Sequence, residues 1–480
     1  MSRYAISSVL AGDLVRRSGI DAQLHGDASL VLTGITQDSR VVQIGDLYCC
    51  VAGATFDGHD FAADAVARGA IAILVDHQLP DIDKGILQIQ VHDVRSVLGA
   101  ISAEAFQRPA DLLHLVGITG TNGKTTTAAI LVSLLRAEGY VCEVLGTLTD
   151  SRTTLEAIDL HHRLSELVAN GVTHVVMEVS SHALDQHRVD GLMFDVALFT
   201  NLSHDHLDYH SSMDEYFAAK ARLFSAQLTR SAVVNRDDTY GRALAEGKSV
   251  PTILYGIKDI SDVEVRVDSS SFMWDGLHIT IPLGGGHAPT NALAAITAAR
   301  EIGVSPEHIQ RGCAQVSVVP GRFEFVGNSQ GATVVVDFAH TPDGLAGVLK
   351  SARQLTTGAV RVVFGCGGDR DQGKRPVMGK IATELADFVY VTSDNPRSED
   401  PAKIISAIME GASHGTGVVR SFVNRADAIE SAISAAEHGD IVVIAGKGHE
   451  TTQEIQGVMT PFNDVEVAKA ALTQQKGKAT

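Results

Sequence analysis

The sequence predicts an α/β protein of three domains, with a P-loop-type parallel sheet in the central one. The first observation is a strand, a glycine-rich loop and a helix in direct succession over residues 112–135. The second is the alternation of apolar runs and helical patterns that follows, which is typical of a parallel sheet covered by helices. The third is the length, since 480 residues indicate about three domains at roughly 150 residues each. We expect the boundaries at 1–108, 109–330 and 331–480.

The first segment, residues 1–108, predicts an N-terminal α/β domain. It combines short strand-like runs, such as 45–52, with a helical pattern over 59–68, and it contains no phosphate loop. Its polar turns, 38–40 and 53–58, read locally as ordinary turn chemistry. The residues of this segment therefore predict no function by themselves.

Residues 117–126, Gly-Ile-Thr-Gly-Thr-Asn-Gly-Lys-Thr-Thr, predict a phosphate-binding loop. Glycines let backbone N–H groups face a polyphosphate, and the helix that follows adds positive potential at its N-terminus. Lys124 can reach the outer phosphates, and the hydroxyl of Thr125 can bind Mg²⁺. Ile118 occupies the first glycine position of the general consensus, and a chance Gly-Lys-Thr turn is the alternative. The order of strand, loop, lysine, hydroxyls and helix favours a nucleoside triphosphate and a central ATPase domain.

Two later strands of the second segment, 109–330, end in polar side chains. Glu178 lies near the end of a strand over 173–180, where the ligands of open α/β sheets collect and where a carboxylate can bind the nucleotide's Mg²⁺. The strand over 195–200 opens onto a loop rich in histidine and aspartate, 201–210. Zinc is an alternative there, but the loop lacks cysteine and alternates acids with histidines, which favours magnesium and phosphate.

The third segment, 331–480, predicts a C-terminal Rossmann-like domain. Three of its apolar runs end in polar loops, 365–371, 393–397 and 446–450. If the strands are parallel, these loops meet at one edge of the sheet and form a pocket of mixed charge. Only the tail, 474–478, is expected to be disordered.

The composition excludes several classes of function. A net charge of −18 at pH 7 argues against nucleic acid or an anionic membrane as partner, because both require a basic face. No apolar run approaches the roughly 18 residues of a membrane span, and the N-terminus lacks a signal-peptide core. The five cysteines form no C-x-x-C pair, so we expect buried free thiols. We expect a cytoplasmic monomer that acts on small molecules, without nucleic acid or membrane insertion.

Six short segments together resemble the Mur ligases. They are Gly-Thr-Asn-Gly-Lys-Thr-Thr (120–126), Glu-Val-Ser-Ser-His-Ala-Leu (178–184), Asp-His-Leu-Asp-Tyr-His (205–210), Gly-Arg-Phe-Glu (321–324), Asp-Phe-Ala-His-Thr-Pro (337–342) and Gly-Lys-Gly-His-Glu (446–450). The resemblance spans all three segments. Asp-Asn-Pro-Arg (394–397) is similar to the signature of the members that add meso-diaminopimelate.

The resemblance implies an ATP-dependent acid–amino-acid ligase of peptidoglycan precursor synthesis. Such an enzyme joins meso-2,6-diaminopimelate to UDP-N-acetylmuramoyl-L-alanyl-D-glutamate through an acyl phosphate, and its N-terminal domain binds the UDP end. Lys124, His206 and Lys220 would be catalytic, with Lys220 carbamylated by CO₂. Thr125, Glu178 and the carbamylated Lys220 would bind Mg²⁺.

The resemblance also implies a set of residues for each substrate. ATP would contact Gly120, Thr121, Asn122, Gly123, Lys124, Thr125, Thr126, Asn291, Arg322, Asp337 and His340. The UDP-muramoyl dipeptide would contact Ser39, Ala54, Thr55, Phe56, Thr153, Thr154, Ser180, Gln186 and Arg188. Diaminopimelate would contact Arg370, Asp394, Asn395, Pro396, Arg397, Gly446 and Glu450.

The charges of the third segment support this amino acid independently. Diaminopimelate differs from lysine by a second carboxylate beside its distal ammonium. Arg397 can grip a carboxylate bidentately, with Arg370 adding positive charge, and Glu450 can pair with the ammonium. Three alternatives remain: the same reaction with L-lysine, a ligase like folylpolyglutamate synthase, and a nucleotide-dependent binding protein without catalysis.

Overall fold

The computed structural model describes residues 2–53, 56–247, 249–329 and 331–478. Three six-stranded sheets follow one another along the chain, each packed against helices. The α/β class is thus confirmed. In the part of the chain that is described, no helix combines the length and apolar character that crossing a membrane requires. All five cysteines are buried and free, as expected.

The first sheet is mixed. Its elements in chain order are β1 (Tyr4–Leu10), α1 (Ala11–Ser18), β2 (Gln23–His25), β3 (Val31–Thr36), β4 (Asp46–Cys49), α2 (Ala62–Arg68), β5 (Ala70–Val75), β6 (Leu87–Gln90) and α3 (Val94–Ala105). The strand order is β1-β3-β4-β5-β6-β2. The four inner strands run parallel, and both edge strands run antiparallel to their neighbours.

The second sheet is parallel throughout. Its elements are β7 (His114–Thr119), α4 (Lys124–Glu138), β8 (Cys142–Leu145), α5 (Ala157–Ala169), β9 (His174–Glu178), α6 (Ser181–Asp185), β10 (Phe194–Phe199), α7 (Met213–Ala221), β11 (Thr229–Asn235), α8 (Thr239–Gly247) and β12 (Thr252–Tyr255). The order β12-β11-β10-β7-β9-β8 places β7 between β10 and β9. The loops after these three strands therefore lie side by side, as a parallel sheet requires.

A small antiparallel sheet follows that the alternating pattern did not predict. Its strands are β13 (Ile260–Val265), β14 (Ser270–Trp274) and β15 (Leu277–Ile281), and the helices α9 (Ala288–Ile302) and α10 (Pro306–Ala314) come after them. The turn between β14 and β15 is Asp275-Gly276, with φ of 48° and 78°. Asp-Gly is a strong hairpin signal because both positions take positive φ, so the sequence did carry this information.

The third sheet is parallel except at one edge. Its elements are β16 (Glu324–Ser329), β17 (Ala332–Asp337), α11 (Pro342–Leu355), β18 (Val360–Phe364), α12 (Lys374–Leu385), β19 (Phe388–Val391), α13 (Pro401–Ala412), β20 (Val418–Ser421), α14 (Arg425–Ser434) and β21 (Ile441–Ala445), followed by the hairpin β22 (Thr452–Ile455) and β23 (Val458–Pro461) and by α15 (Asp464–Lys478). The order is β16-β17-β21-β18-β19-β20, with only β16 antiparallel. The three polar loops therefore meet at one edge, as predicted.

The expectation of a disordered tail is wrong. α15 continues through Lys478, so residues 474–478 belong to a helix. Ala468, Ala471 and Leu472 of this helix are buried against the face of the sheet. Helical packing of the preceding turns outweighs the polar composition of the tail, which was the only basis for the expectation.

Arg425 connects two strand ends of the third sheet from within the core. Its guanidinium is fully buried and donates to both carboxylate oxygens of Asp464 at 2.7 Å. It also donates to the carbonyl of Ala445, at the end of β21, at 2.9 Å, and to that of Ser393, after β19, at 3.3 Å. One buried cation thus fixes the starts of two of the polar loops.

We predict that Arg425→Met lowers the free energy of unfolding by about 3–5 kcal/mol, because it leaves the Asp464 carboxylate buried without its partner. Urea unfolding followed by fluorescence measures this. Arg420→Met, at an exposed arginine on β20, is the matched control and should change stability by less than about 0.5 kcal/mol. Equal effects of the two changes would contradict the role assigned to the buried pair.

Candidate active site

A cavity of about 850 Å³ lies where the second and third sheets face each other. Its walls come from the loops after β7, β9 and β10 on one side and from those after β17, β18, β19 and β21 on the other. Residues 284–287, which precede α9, also line it. The carboxyl edges of two parallel sheets thus share one space, which is where ligands of such folds bind.

The glycine-rich loop turns sharply between β7 and α4. Gly120 and Gly123 have φ of 147° and 85°, which a side chain rarely adopts. A Cβ at Gly120 would collide with the hydroxyl of Thr200, and one at Gly123 would crowd the Asn291 amide. Ile118 is buried within β7, so the position that departs from the consensus belongs to the strand. Gly120 makes the turn instead.

Lys124 lies over this loop. Its Nζ donates to the carbonyls of Gly120 and Thr121 at 2.8 and 2.9 Å. Loss of hydration lowers the pKa of the Lys124 ammonium, while Glu178 acts in the opposite direction. The lysine is therefore held at the cavity wall by weak neutral acceptors, which an anionic ligand can replace.

Glu178 gathers hydroxyl groups around one carboxylate. Thr125 Oγ1 donates to its Oε2 at 2.9 Å, and Thr147 donates to the two oxygens from its backbone N–H at 3.0 Å and its hydroxyl at 3.3 Å. Arg322 Nη2 donates to Thr125 Oγ1 at 3.1 Å. Glu178 is 1% exposed, and a Cβ at Gly146 would clash with it. Hard oxygen donors in this arrangement fit Mg²⁺, so the expected metal pair, Thr125 and Glu178, is brought together.

Lys220 lies directly beneath the loop and is 1% exposed. Its Nζ donates to the Gly120 carbonyl at 3.0 Å and lies 4.7 Å from the centre of the Tyr216 ring. Among the described residues, it has no carboxylate partner. Burial lowers the pKa of the Lys220 ammonium well below its usual value, and the positive charge of Lys124 acts in the same direction. The side chain is therefore removed from solvent, although the residues around it on α7 resemble an exposed helical surface.

His206 follows β10 in a left-handed backbone conformation, with φ of 55°. Its ring lies edge-on to His182 at 4.9 Å. Burial lowers the pKa of His206 to about 4, while Asp205, whose carboxylate lies 3.4 Å from Nε2, acts in the opposite direction. His210 instead bonds the Ser181 hydroxyl at 3.0 Å. Within the described chain, the histidines of this loop do not converge on a common metal position; the one such grouping is His59, Asp76 and His77.

The ATP contacts expected outside the phosphate loop, Asn291, Arg322, Asp337 and His340, line the same cavity. Asn291 faces Gly123, and the Arg322 guanidinium lies 4.6 Å from the Phe338 ring. Asp337 accepts the backbone N–H groups of Phe323 and Ala339 at 2.7 and 2.8 Å, and burial raises its pKa. Burial lowers the pKa of His340, whose Nδ1 lies 2.8 Å from the Phe338 carbonyl. The Asp337 carboxylate therefore holds the backbone just before β16 and just after β17 in place.

The loops of the third sheet bring the expected amino-acid residues to the opposite wall. Arg370, Asp394, Asn395, Arg397, Gly446 and Glu450 all line the cavity, and Pro396 is buried between them. Asn395 Nδ2 donates to Glu450 Oε2 at 2.8 Å. Arg397 has φ of 52° and donates from Nη1 to the Gly368 carbonyl at 2.6 Å. The pocket of mixed charge that the sequence predicted is present.

The residues expected at the UDP-muramoyl dipeptide are only partly brought together. Around β9, Thr153, Thr154, Ser180, Gln186 and Arg188 form one cluster; Arg188 lies 3.0 Å from Glu156, and the Ser180 N–H bonds Thr154 Oγ1 at 3.0 Å. Of these, Thr153 reaches the cavity wall. In the first domain Ser39 is buried and Phe56 is 70% exposed, and neither lines the cavity. Ala54 and Thr55 lie outside the described residues.

Three residues of the site were not predicted from the sequence. Thr147 contacts Glu178, Lys374 lines the cavity and bonds the His340 carbonyl at 3.0 Å, and Lys447 bonds Glu450 at 2.7 Å. Lys447 belongs to the Gly-Lys-Gly-His-Glu segment (446–450), so the sequence did contain a signal that could have identified it. Thr147 lies in the loop after β8 and Lys374 is the first residue of α12, and neither belongs to a local sequence pattern.

Comparisons with known families cover most of the chain. Residues 31–106 match the model of the Mur ligase family catalytic domain, residues 118–299 that of the Mur ligase middle domain, and residues 321–448 that of the Mur ligase glutamate ligase domain.

Known proteins match over the full length as well. The chain is 42% identical to UDP-N-acetylmuramoyl-L-alanyl-D-glutamate--2,6-diaminopimelate ligase of Aquifex aeolicus, over 94% of this chain and 96% of the relative. A solved structure of a ligase of the same name is 32% identical, with a TM-score of 0.67, over 98% of this chain and all of the other. Mycobacterium tuberculosis folylpolyglutamate synthase shares the fold at 19% identity, with a TM-score of 0.60 over 78% of this chain. With all three domain models matched in order and relatives this similar, the chain belongs to the Mur ligase family.

Proposed function

We propose that this protein is an ATP-dependent ligase that adds meso-2,6-diaminopimelate to UDP-N-acetylmuramoyl-L-alanyl-D-glutamate in peptidoglycan precursor synthesis. The observation that carries the proposal is that one cavity holds the phosphate loop on one wall and the Asp-Asn-Pro-Arg loop on the other. A ligase must bring its activated acid and its amine together, and this cavity provides both sides. The names of the relatives support the choice of substrates. The use of ATP supports a cytoplasmic location.

The first step is activation of the D-glutamate carboxylate. In the family, a carboxylate oxygen attacks the γ-phosphorus of ATP, giving an acyl phosphate and ADP; the amine of the incoming amino acid then displaces phosphate and forms the amide. Lys124 is placed to neutralise charge on the transferring phosphoryl group, which is the main contribution a protein makes to such transfer. His206 can donate a hydrogen bond to the same group.

Thr125 and Glu178 would hold the Mg²⁺ of the nucleotide. The ion would supply positive charge to the phosphate oxygens. Thr147 and Arg322 keep the hydroxyl and the carboxylate in place through the bonds described above. Arg322 also links the phosphate loop to the third sheet, so nucleotide and amino-acid walls are coupled.

Lys220 would be carbamylated. Its burial disfavours the ammonium, so the neutral amine is available; the nitrogen attacks the carbon of CO₂, a C–O π bond becomes an O⁻, and one proton leaves the nitrogen. The product is a carboxylate-like anion beside Lys124 and the loop, where a second Mg²⁺ would bind. The observation that supports this proposal is a buried amine with no anionic partner among the described residues.

Selection of diaminopimelate would rest on two cations and one anion. Arg397 and Arg370 can bind the distal carboxylate, while Glu450 can bind the distal ammonium. L-Lysine has no distal carboxylate, so as a substrate it would leave Arg397 or Arg370 without this partner. For this reason the L-lysine reaction remains the second candidate and the experiment below includes it.

The first domain would bind the UDP end. Ser39, Ala54, Thr55 and Phe56 remain the proposed contacts there, and the exposed Phe56 ring offers a stacking surface for uracil. The cluster around Arg188 would bind the muramoyl dipeptide. For the domains we propose 1–108 for the first; because β16 pairs with β17, we place the start of the third before Glu324 rather than at 331.

We predict that ADP release in the presence of the UDP-muramoyl dipeptide depends on meso-diaminopimelate, with kcat/KM lower by about 10²–10³ for L-lysine, because lysine forfeits charge-assisted bonds and strands an arginine. L-ornithine is the third amino acid in the assay. Preference for lysine would refute the pocket argument. ATP binding without any ADP release would favour the non-catalytic alternative, and glutamate addition to a folate would favour the folylpolyglutamate-synthase-like one.

We predict that Lys220→Ala reduces kcat at least about 100-fold, because it removes the anion that carbamylation would place beside the loop. Intact-protein mass spectrometry in CO₂-saturated buffer should show the mass of one CO₂ on the wild type and none on the variant. Lys258→Ala, at an exposed lysine of the same domain, should keep full activity. Full activity of Lys220→Ala would contradict the carbamate assignment.

A further inference from the structure

Lys447 lies on the loop after β21, next to two residues proposed for amino-acid binding. Its side chain is 0% exposed, although it ends in an ammonium. Nζ donates to Glu450 Oε2 at 2.7 Å and to Asn395 Oδ1 at 3.1 Å. A tight turn, in which the Glu450 N–H donates to the Lys447 carbonyl at 3.0 Å, places the two side chains on one side of the loop. A buried charge requires such partners, so these three residues form one unit.

The unit fixes the orientation of the Asn395 amide. Its Oδ1 accepts from Lys447 and also from the Glu454 N–H at 3.1 Å. Two donors meet this atom, so it must be the oxygen. Nδ2 uses one N–H for Glu450, and within the described part of the chain the second N–H has no acceptor, so it is open to a ligand. Asn395 therefore presents a donor to the cavity.

The unit also fixes which oxygen of Glu450 is free. Oε2 accepts from both Lys447 and Asn395. Among the described residues, Oε1 has no donor, and Glu450 lines the cavity. An acceptor thus lies beside the Asn395 donor, and Arg397 lies on the neighbouring segment. This pairing is complementary to an ammonium and a carboxylate carried by one carbon.

We propose that Lys447 is a positioning residue that sets the preference for an amino acid with both an ammonium and a carboxylate on its distal carbon. The inference rests on the proposed ligase function and deepens it. Without Lys447 the Asn395 amide can rotate, and the Glu450 carboxylate loses the cation that holds Oε2. The donor and acceptor then no longer face the two groups of the distal carbon.

Steady-state kinetics of three variants test this. Lys447→Met should raise KM for meso-diaminopimelate about tenfold or more and reduce the preference over L-lysine by a similar factor, while KM for ATP changes by less than about twofold. Lys447→Arg keeps a cation with a different reach and should shift the same ratio; it decides the question if the methionine variant does not fold. Lys469→Met, at an exposed lysine on α15, is the matched control and should behave as wild type.

A double mutant separates positioning from general destabilisation. Because Lys447 acts through Glu450 and Asn395, the losses in diaminopimelate KM caused by Lys447→Met and Glu450→Gln should be less than additive in the double mutant. Fully additive losses would overturn the proposal, as would an unchanged KM and preference in the folded Lys447 variants. A wild type that does not use diaminopimelate at all would instead refute the proposed function, so the two failures are distinguishable.

Discussion

The buried carboxylate of Glu178 is the interaction on which the arrangement of the site depends. It ends β9, accepts the hydroxyl of Thr125 at the start of α4, and accepts both polar groups of Thr147 after β8. A charge in such a position is tolerated only where hydrogen bonds satisfy it, so the three neighbouring strand ends must keep their register. Arg322, which bonds Thr125, extends the constraint to the segment that leads into the third sheet.

In the third sheet, buried cations hold the strand ends and loops in place. Arg425 binds the backbone carbonyls at the ends of β19 and β21, and Lys447 binds side chains on the loops that follow. Each of the two has a carboxylate partner, Asp464 or Glu450. Arg397, at the cavity, has a longer ion pair, 3.8 Å to Glu454. Arg370 and Arg397 remain at the cavity, where a ligand carboxylate can complete their hydrogen bonds.

The sequence predicted the parts of the molecule that local patterns specify. The phosphate loop, the strand that carries Glu178 and the convergence of three loops at one sheet edge follow from short patterns and from the rule for parallel strands. The contact of Thr147 with Glu178 spans 31 positions along the chain, and no local pattern encodes it. The burial of Lys220 is equally non-local. The sequence of its own helix is typical of an exposed surface, and packing against β7 and Tyr216 removes the side chain from water. The Asp275-Gly276 hairpin, by contrast, was encoded locally and overlooked.

Three lysines of the cavity region differ in what balances their charge, and the difference bears on chemistry. Lys447 has the carboxylate of Glu450 at 2.7 Å, so its role is to hold that group in place. Lys124 has backbone carbonyls and an open cavity, so an incoming polyphosphate can supply the missing anion. Lys220 is buried, and its Nζ lies 3.0 Å from the Gly120 carbonyl, 3.5 Å from the Thr119 hydroxyl and 4.7 Å from the centre of the Tyr216 ring. No carboxylate among the described residues forms an ion pair with it; burial lowers the pKa of its ammonium well below the usual value, while the more distant Asp205 acts in the opposite direction. Under the carbamylation proposed above, reaction with CO₂ would convert that amine into an anion, which would balance Lys124 and add oxygen ligands next to the loop.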